Sequence, residues 1–442
     1  MSHRVILGAS TEWCPVPVVS SISCAASLVL LAALSAFAQP VEVPKPAANR
    51  LHVDQLVAEA LAKNPEIAAA QSRVDAMRQR PAQEGSRPDP MISAGYSSTG
   101  YPWPGAGLGT EPTSNIGFMV SQALPYPGKL DLRASIASRE ADAELQEVAA
   151  ARWSVTARVK QAFYRLAYTY AVADVLQRNR ELLQTLLKVS ENRYAVGHAA
   201  QQDVIKAQTQ LTIVDLQLAR IRQERATREG ELNALLARPV GSPIGRPDDL
   251  VLTDFNLSLE SLVTSATAQA PMLKRDQIAV ERSQLAVDSA RKEYKPDFNV
   301  SGGYYNMGSM SPMYEFRLDV TLPVRRARRD AAVAEQVSTL LETRQTYEAN
   351  RLDLQSRIQE DYEMATTSLH LARLYRDTVL PQARLALESS MASYQTGAVD
   401  FLSVLTNVSA VLDHETSYFA ELAGYHVAVS RIEEMTGAPI IH

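Results

Sequence analysis

Cysteine is nearly missing from this 442-residue chain: there are two, Cys14 and Cys24, both close to the N-terminus. A disulfide-stapled scaffold and a cysteine-ligated metal site are thereby excluded from the rest of the sequence. An excess of charge of one sign is missing as well. The net charge is −5 with 21% charged residues, so there is no basic field of the kind that nucleic acid requires. Catalytic signatures are missing too. His3, His52, His198, His370, His414, His426 and His442 are scattered, and no H-E-x-x-H, phosphate-binding loop or G-x-S-x-G occurs. The expectation is no enzyme, no cofactor and no nucleic-acid partner. Long apolar runs are confined to Ala25 to Ala38 (AASLVLLAALSAFA), which is too short to span a bilayer and ends in the A-x-A pattern Ala36-Phe37-Ala38. Residues 1–38 are therefore expected to be an export signal, whose cleavage would remove both cysteines. Lipidation of Cys24 is the competing reading, although Ser21-Ile22-Ser23 lacks the leucine that a lipobox prefers. With no further candidate for a membrane helix, any membrane contact must be made by strands.

Proline and glycine are missing from Lys129 to Val196, a span that predicts on the order of 100 Å of helix. Arg326 to Thr396 is free of proline apart from Pro381 and predicts a second such helix. Apolar residues at Val204, Ala207, Leu211, Val214, Leu218 and Ile221 are spaced 3-4-3-4-3, a coiled-coil seam, and Leu405, Val408, Leu412, Phe419 and Leu422 continue the theme later.

The chain also repeats itself. LVAEALAKNPEIAAAQSRVDAMRQ from Leu56 resembles LVTSATAQAPMLKRDQIAVERSQ from Leu262, and RPDPMISAGY resembles KPDFNVSGGY. SNIGFMVSQALP matches MYEFRLDVTLP, and RYAVGHAAQQDV matches SYQTGAVDFLSV, in the same order and roughly 200 residues apart. The fold class expected is mainly α with a small β part. A first repeat covers 39–237, a linker 238–258, a second repeat 259–435 and a tail 436–442.

Four strands are expected, at about 91–98, 115–124, 298–306 and 314–322. In YEFRLDVTLP every second residue is apolar, the mark of a strand with one oily and one wet face. Ile116, Phe118, Val120, Phe316 and Leu318 would face lipid, and Gly117, Ser121, Glu315, Arg317 and Asp319 a watery bore. Four strands cannot close a barrel around a lumen, so in a membrane the chain must pool strands with other copies; two chains give a filled eight-stranded barrel, three give an open bore. A small sheet packed on helices in a soluble protein would also show period two.

These features resemble the TolC-type outer-membrane efflux proteins, the outer channels of tripartite pumps and type I secretion systems. The resemblance runs from Leu51 to about Met435 and is carried by RYAVGHAAQQDV, SYQTGAVDFLSV and ALPYPGKLDLR. It implies a homotrimer with a twelve-stranded antiparallel barrel in the outer-membrane lipid and a periplasmic α-barrel of long coiled-coil helices. It further implies a periplasmic adaptor and an inner-membrane transporter as partners. The Pro-Gly-Lys after the second strand is similar to the CusC- and CzcC-like branch that serves heavy-metal pumps. By the same resemblance the periplasmic tips, which close the tunnel and dock the adaptor, map to Tyr194, Gly197 and Asp203 and to Tyr394, Gly397 and Asp400. Both tyrosines are expected to pack at a last helical turn. Asp400 reads two ways, as a charged gate ring or as the N-cap of the last helix.

Met307, Met310 and Met313 in MGSMSPM are soft ligands suited to Cu(I), or simply adaptable loop residues. Arg325, Arg326, Arg328 and Arg329 would meet lipid phosphate or acidic neighbours, or form a solvated helix start. The function expected is a passive exit duct for heavy metals or small solutes. Type I protein secretion is the rival within the class, and a soluble periplasmic coiled-coil adaptor the rival outside it.

Overall fold

The computed structural model describes residues 50–99, 102–254 and 258–440. The expected export signal and both cysteines lie outside the described residues. The first repeat runs α1 (Val53–Lys63), α2 (Pro65–Met77), α3 (Arg80–Glu84), β1 (Met91–Ser97), β2 (Asn115–Leu124), α4 (Lys129–Ala195) and α5 (Gln201–Leu235). The second runs α6 (Leu259–Gln269), α7 (Pro271–Lys292), β3 (Asp297–Asn306), β4 (Met313–Thr321), α8 (Arg326–Leu374), α9 (Leu380–Thr396) and α10 (Phe401–Thr436).

The uninterrupted absence of helix breakers after Lys129 produces one helix of 67 residues, α4. The matching stretch of the second repeat differs from the single helix expected over 326–396: a π turn at Tyr375–Val379 separates α8 from α9. The cause is Pro381, which has no N–H for the carbonyl of Asp377 and whose ring would strike it. The chain widens instead, and the Leu380 N–H reaches back to the Tyr375 carbonyl.

Helix packing is divided among three apolar clusters rather than one core. The tip-ward cluster joins α4, α5, α9 and α10, where Ala207 and Val214 of the predicted seam are fully buried beside Val404, Val408 and Leu412. A second holds α6, α7, α8 and α10 together around Ile358, Tyr425 and Ile432, and a third seats α1 and α2 on α4 around Val159, Phe163 and Leu166. Residues 238–254 carry no helix or strand; they lie against the start of the described chain, with Leu51 N–H donating to the Arg246 carbonyl at 3.0 Å.

Between the second and third clusters His426 is buried, its Nε2 2.9 Å from the Val251 carbonyl and its ring stacked on Tyr164 at 4.3 Å. Burial pushes the His426 pKa down, with the Val251 carbonyl opposing and nearby Lys160 assisting, and burial pushes Tyr164 up to about 12.

The strands form one antiparallel sheet in the order β1-β2-β3-β4, so each repeat contributes a hairpin and the hairpins join through β2 and β3. Sheet and helices are tied at the Pro-Gly-Lys handover. Lys129, 3% exposed, donates to Glu293 Oε2 at 3.1 Å, to Asp297 Oδ2 at 3.0 Å and to the Lys295 carbonyl at 3.2 Å. Its three N–H donors thus have three acceptors, all from the segment that leads into β3. Asp297 also accepts the Tyr126 N–H at 2.8 Å, so the exit of β2 and the entry of β3 are clamped together.

Two outcomes follow from this packing. Replacing Lys129 by Met leaves two carboxylates facing each other; removing one partner of a fully buried pair costs about 3–5 kcal/mol, and the partial exposure of Glu293 and Asp297 reduces this to about 1–3 kcal/mol. The thermal midpoint by circular dichroism in detergent should fall accordingly, and an unchanged midpoint would remove the clamp. For His426, a depressed folded pKa means that below the ordinary histidine range the unfolded chain takes up a proton that the folded chain refuses. Stability should therefore drop between about pH 7 and about pH 5, and His426→Gln, which does not titrate, should shrink that pH-dependent part of the loss.

Candidate functional site

The predicted wall residues fall into two sets that the register keeps apart. Ile92, Val120, Gly302 and Phe316 form one cross-strand row, and Ala94, Phe118, Tyr304 and Tyr314 form the next on the same face. In the second row the Phe118 and Tyr304 rings are 5.9 Å apart and the Tyr304 and Tyr314 rings 5.5 Å apart. Ile116 lies on this face as well, and Leu318 opposite Val300 extends it. Ile92, Ile116, Phe118, Val120, Tyr314, Phe316 and Leu318 are exposed large apolar side chains on it, Phe316 being 78% accessible.

The opposite face carries Met91, Ser121, Ser301 and Arg317 in one row and Ser93, Met119, Gly303 and Glu315 in the next. Gly117 and Asp319 share it. Arg317 pairs with Glu315 at 2.6 Å along the strand, and Asn299 Nδ2 donates to Asp319 Oδ2 at 3.4 Å. β1 and β4 are the outer strands, and among the described residues their outer edges have no strand partner. Ser93, Asn299, Ser301 and Tyr305 on the polar face, and Ile92 and Tyr304 on the apolar one, are harder to see in the sequence because alternation is weak beside the glycines of β1 and β3, whereas Tyr314 heads the plain alternation of β4.

At the far end of the strands the two loops touch: Ser309 Oγ donates to the Gly109 carbonyl at 2.8 Å. Met307 and Met310 lie in the turn, whereas Met313 begins β4 opposite Tyr305.

The helical turns at the other end place the tip residues. Gly397 ends α9 with φ +80°, and Gly197 follows α4 with φ +75°, left-handed values that only glycine adopts without strain. The two tyrosines differ. Tyr394 is buried against Phe401 at 5.5 Å between ring centres, as expected of a packing residue. Tyr194 is 49% exposed, which corrects the expectation that both pack. The reason is direction: Tyr394 faces Ser190 and Arg193 of the first repeat, and among the described residues Tyr194 has no matching ring or hydrogen-bond partner in the second.

Arg193 is the residue that sequence reading missed. It donates from Nη1 to the Tyr394 carbonyl at 2.5 Å and to the Gln395 carbonyl at 2.8 Å, and its guanidinium lies 4.8 Å from the centre of the Tyr394 ring. A cation thus caps the C-terminal carbonyls of α9 from the other repeat. Its position just before Tyr194 in RYAVGH was visible, but nothing local showed that it would cross over.

Asp400 caps α10: its carboxylate accepts the Ser403 N–H at 3.1 Å and also the Ser403 hydroxyl. These two bonds hold its pKa below the usual carboxylate range, so the fully exposed group stays charged at neutral pH. In the first repeat the cap position is Ala200, and Asp203 occupies the first turn of α5 without an ion pair among the described residues. Each turn therefore presents one carboxylate, at swapped positions.

The sequence profile of outer membrane efflux proteins matches residues 56–238 and again 262–438, once for each repeat. A multidrug resistance outer membrane protein, MdtP of Shigella flexneri, is 29% identical over 164 residues, which is 36% of this chain and only a third (33%) of that protein. The cobalt-zinc-cadmium resistance protein CzcC of Cupriavidus metallidurans is 19% identical over 395 residues, covering 89% of this chain and 92% of that one. Among solved structures, CusC superposes with a TM-score of 0.73 at 16% identity over 87% of this chain and 92% of its own, a likeness of fold. With a mainly helical duplicated chain, a four-stranded antiparallel sheet and a profile match to both repeats, the chain belongs to the outer membrane efflux protein family and has its place in the outer membrane.

Proposed function

We propose that three copies of this chain pool their sheets into a twelve-stranded barrel, an exit duct through the outer membrane that continues into a periplasmic tunnel of the long helices. The observation that carries the reading is the sheet itself: two unpartnered edges, with an exposed aliphatic and aromatic face on one side and Glu315, Arg317 and Asp319 on the other. In hydrocarbon each unpaired edge N–H or C=O costs several kcal/mol, and pairing β4 of one copy with β1 of the next satisfies all of them. Among the described residues no helix is long and apolar enough to cross a membrane.

The duct is a passive conduit. The turns at 194–203 and 394–403 dock a periplasmic adaptor, which acts with an inner-membrane transporter. Docking opens the duct to the extent that the adaptor binds the open form more tightly. The carboxylates of exposed Asp400 and half-buried Asp203 favour cations at this end by Coulomb attraction. The near full-length likeness to a cobalt-zinc-cadmium resistance protein supports metal cations as cargo, with small solutes of the multidrug kind as the alternative.

Fractionation should recover the chain from the outer membrane as a heat-modifiable trimer; a soluble monomer would end the reading. Phe316→Arg, which places a charge on the lipid face at a cost of about 2–4 kcal/mol per chain, should abolish the trimer, while Arg317→Ala should assemble and alter conductance. Deleting the gene should sensitise cells to cobalt, zinc, cadmium or copper; unchanged growth with every metal would shift the cargo to organic solutes. Asp400→Asn separates cap from gate, because asparagine caps a helix as well as aspartate but carries no charge. Single-channel recordings should show a weakened cation preference, and an unaltered one would leave Asp400 a cap alone. Arg193→Ala should make the 394–398 turn markedly more sensitive to protease, since the α9 carbonyls lose their cation.

A further inference from the structure

On the apolar face of the sheet, where it meets the helices, lies a groove of about 580 Å³. Its floor is Leu124, Phe298, Val300 and Leu318, and the register places all four on the face that carries Phe118 and Phe316. Arg87 and Asp131 line its helix-ward end. Arg87 is exposed and, among the described residues, has neither an ion pair nor a side-chain hydrogen bond. This contrasts with Lys129 nearby, whose donors are all used.

A second observation bears on the same level of the molecule. The apolar alternation of β4 continues through exposed Leu322 and Val324 and stops at Arg325, Arg326, Arg328 and Arg329. Among the described residues none of these four pairs with a carboxylate; Arg329 donates only to the Glu293 and Arg325 carbonyls, at 2.7 and 3.3 Å. They sit at the start of α8, where the helix dipole disfavours cations by about 0.3–1 kcal/mol each. Among the described residues no carboxylate pairs with them to offset that cost.

We propose that this groove is a binding site for one anionic phospholipid of the periplasmic leaflet. Its acyl chain lies along Leu124, Phe298, Val300 and Leu318, and its phosphodiester meets the guanidinium of Arg87. The arginines that open α8 add positive potential along the same rim. An anionic headgroup is selected because the ammonium of a zwitterionic one would enter that positive potential, with Asp131 as the one acid of the groove. The periplasmic leaflet follows from the fold: the long helices leave the sheet at this end, and the loops between paired strands lie at the other. The site rests on the reading of the sheet as a barrel wall, and it would fix the depth at which the wall sits.

The test uses the full chain purified in a nonionic detergent and titrated with phosphatidylglycerol or with phosphatidylcholine, the bound lipid per chain being read by native mass spectrometry. Wild type should hold phosphatidylglycerol in clear preference. Arg87→Gln should weaken it about fivefold, the worth of one basic side chain at an anionic surface, and leave phosphatidylcholine unaffected. Arg87→Lys should recover most of the loss. Equal phosphatidylglycerol binding by wild type and Arg87→Gln would overturn the site, as would displacement of the lipid by inorganic phosphate alone, which would mark a soluble-anion site. Insertion into phosphatidylethanolamine–phosphatidylglycerol vesicles separates the two readings. Insertion without phosphatidylglycerol preference sinks only the groove, whereas failure to insert sinks the barrel wall as well.

Discussion

The constraint on which everything else depends is that a backbone N–H or C=O in hydrocarbon must have a partner within the protein. Four strands satisfy it internally at the three junctions β1–β2, β2–β3 and β3–β4, and leave two edges that do not. The rest of the molecule can be read as a consequence. In the proposed barrel every strand of a copy must enter at the same height, and the Lys129 clamp holds the exit of the second strand to the entry of the third.

Duplication supplies the parts but not their equivalence. The two repeats carry the same order of elements, yet they diverge in detail. Tyr394 is buried because Arg193 and Ser190 of the first repeat lie over it, while Tyr194 faces out. Asp400 caps its helix, whereas the corresponding Ala200 does not and the carboxylate moves to Asp203. Pro381 inserts a π turn with no counterpart in α4. A repeat within one chain is thus free to give its two copies different contacts.

Much of this was legible beforehand. Helix length followed from the missing glycine and proline, and strand faces from period two, because both depend on residues adjacent along the chain. The strand ends predicted at 115–124 and 314–322 lie within a residue of the observed β2 and β4. The polar residues Asn299 and Ser301 were less legible, since glycines dilute the alternation of β3. Arg193, the Lys129 clamp and the groove at Arg87 were not legible at all.

The sequence alone determined the duplication, the long helices and the amphipathic strands, all properties of short-range pattern. The tertiary structure decided which residues of one repeat meet which of the other: the cation over the α9 carbonyls, the saturated lysine at the handover, the cross-strand rows of aromatic side chains. The contacts between repeats, Arg193 with Tyr394, Lys129 with Glu293 and Asp297, and Phe118 with Tyr304, join residues more than a hundred positions apart, and no local periodicity encodes them, because they depend on how the register of β2 against β3 and the seams of the helices bring two distant stretches to the same place.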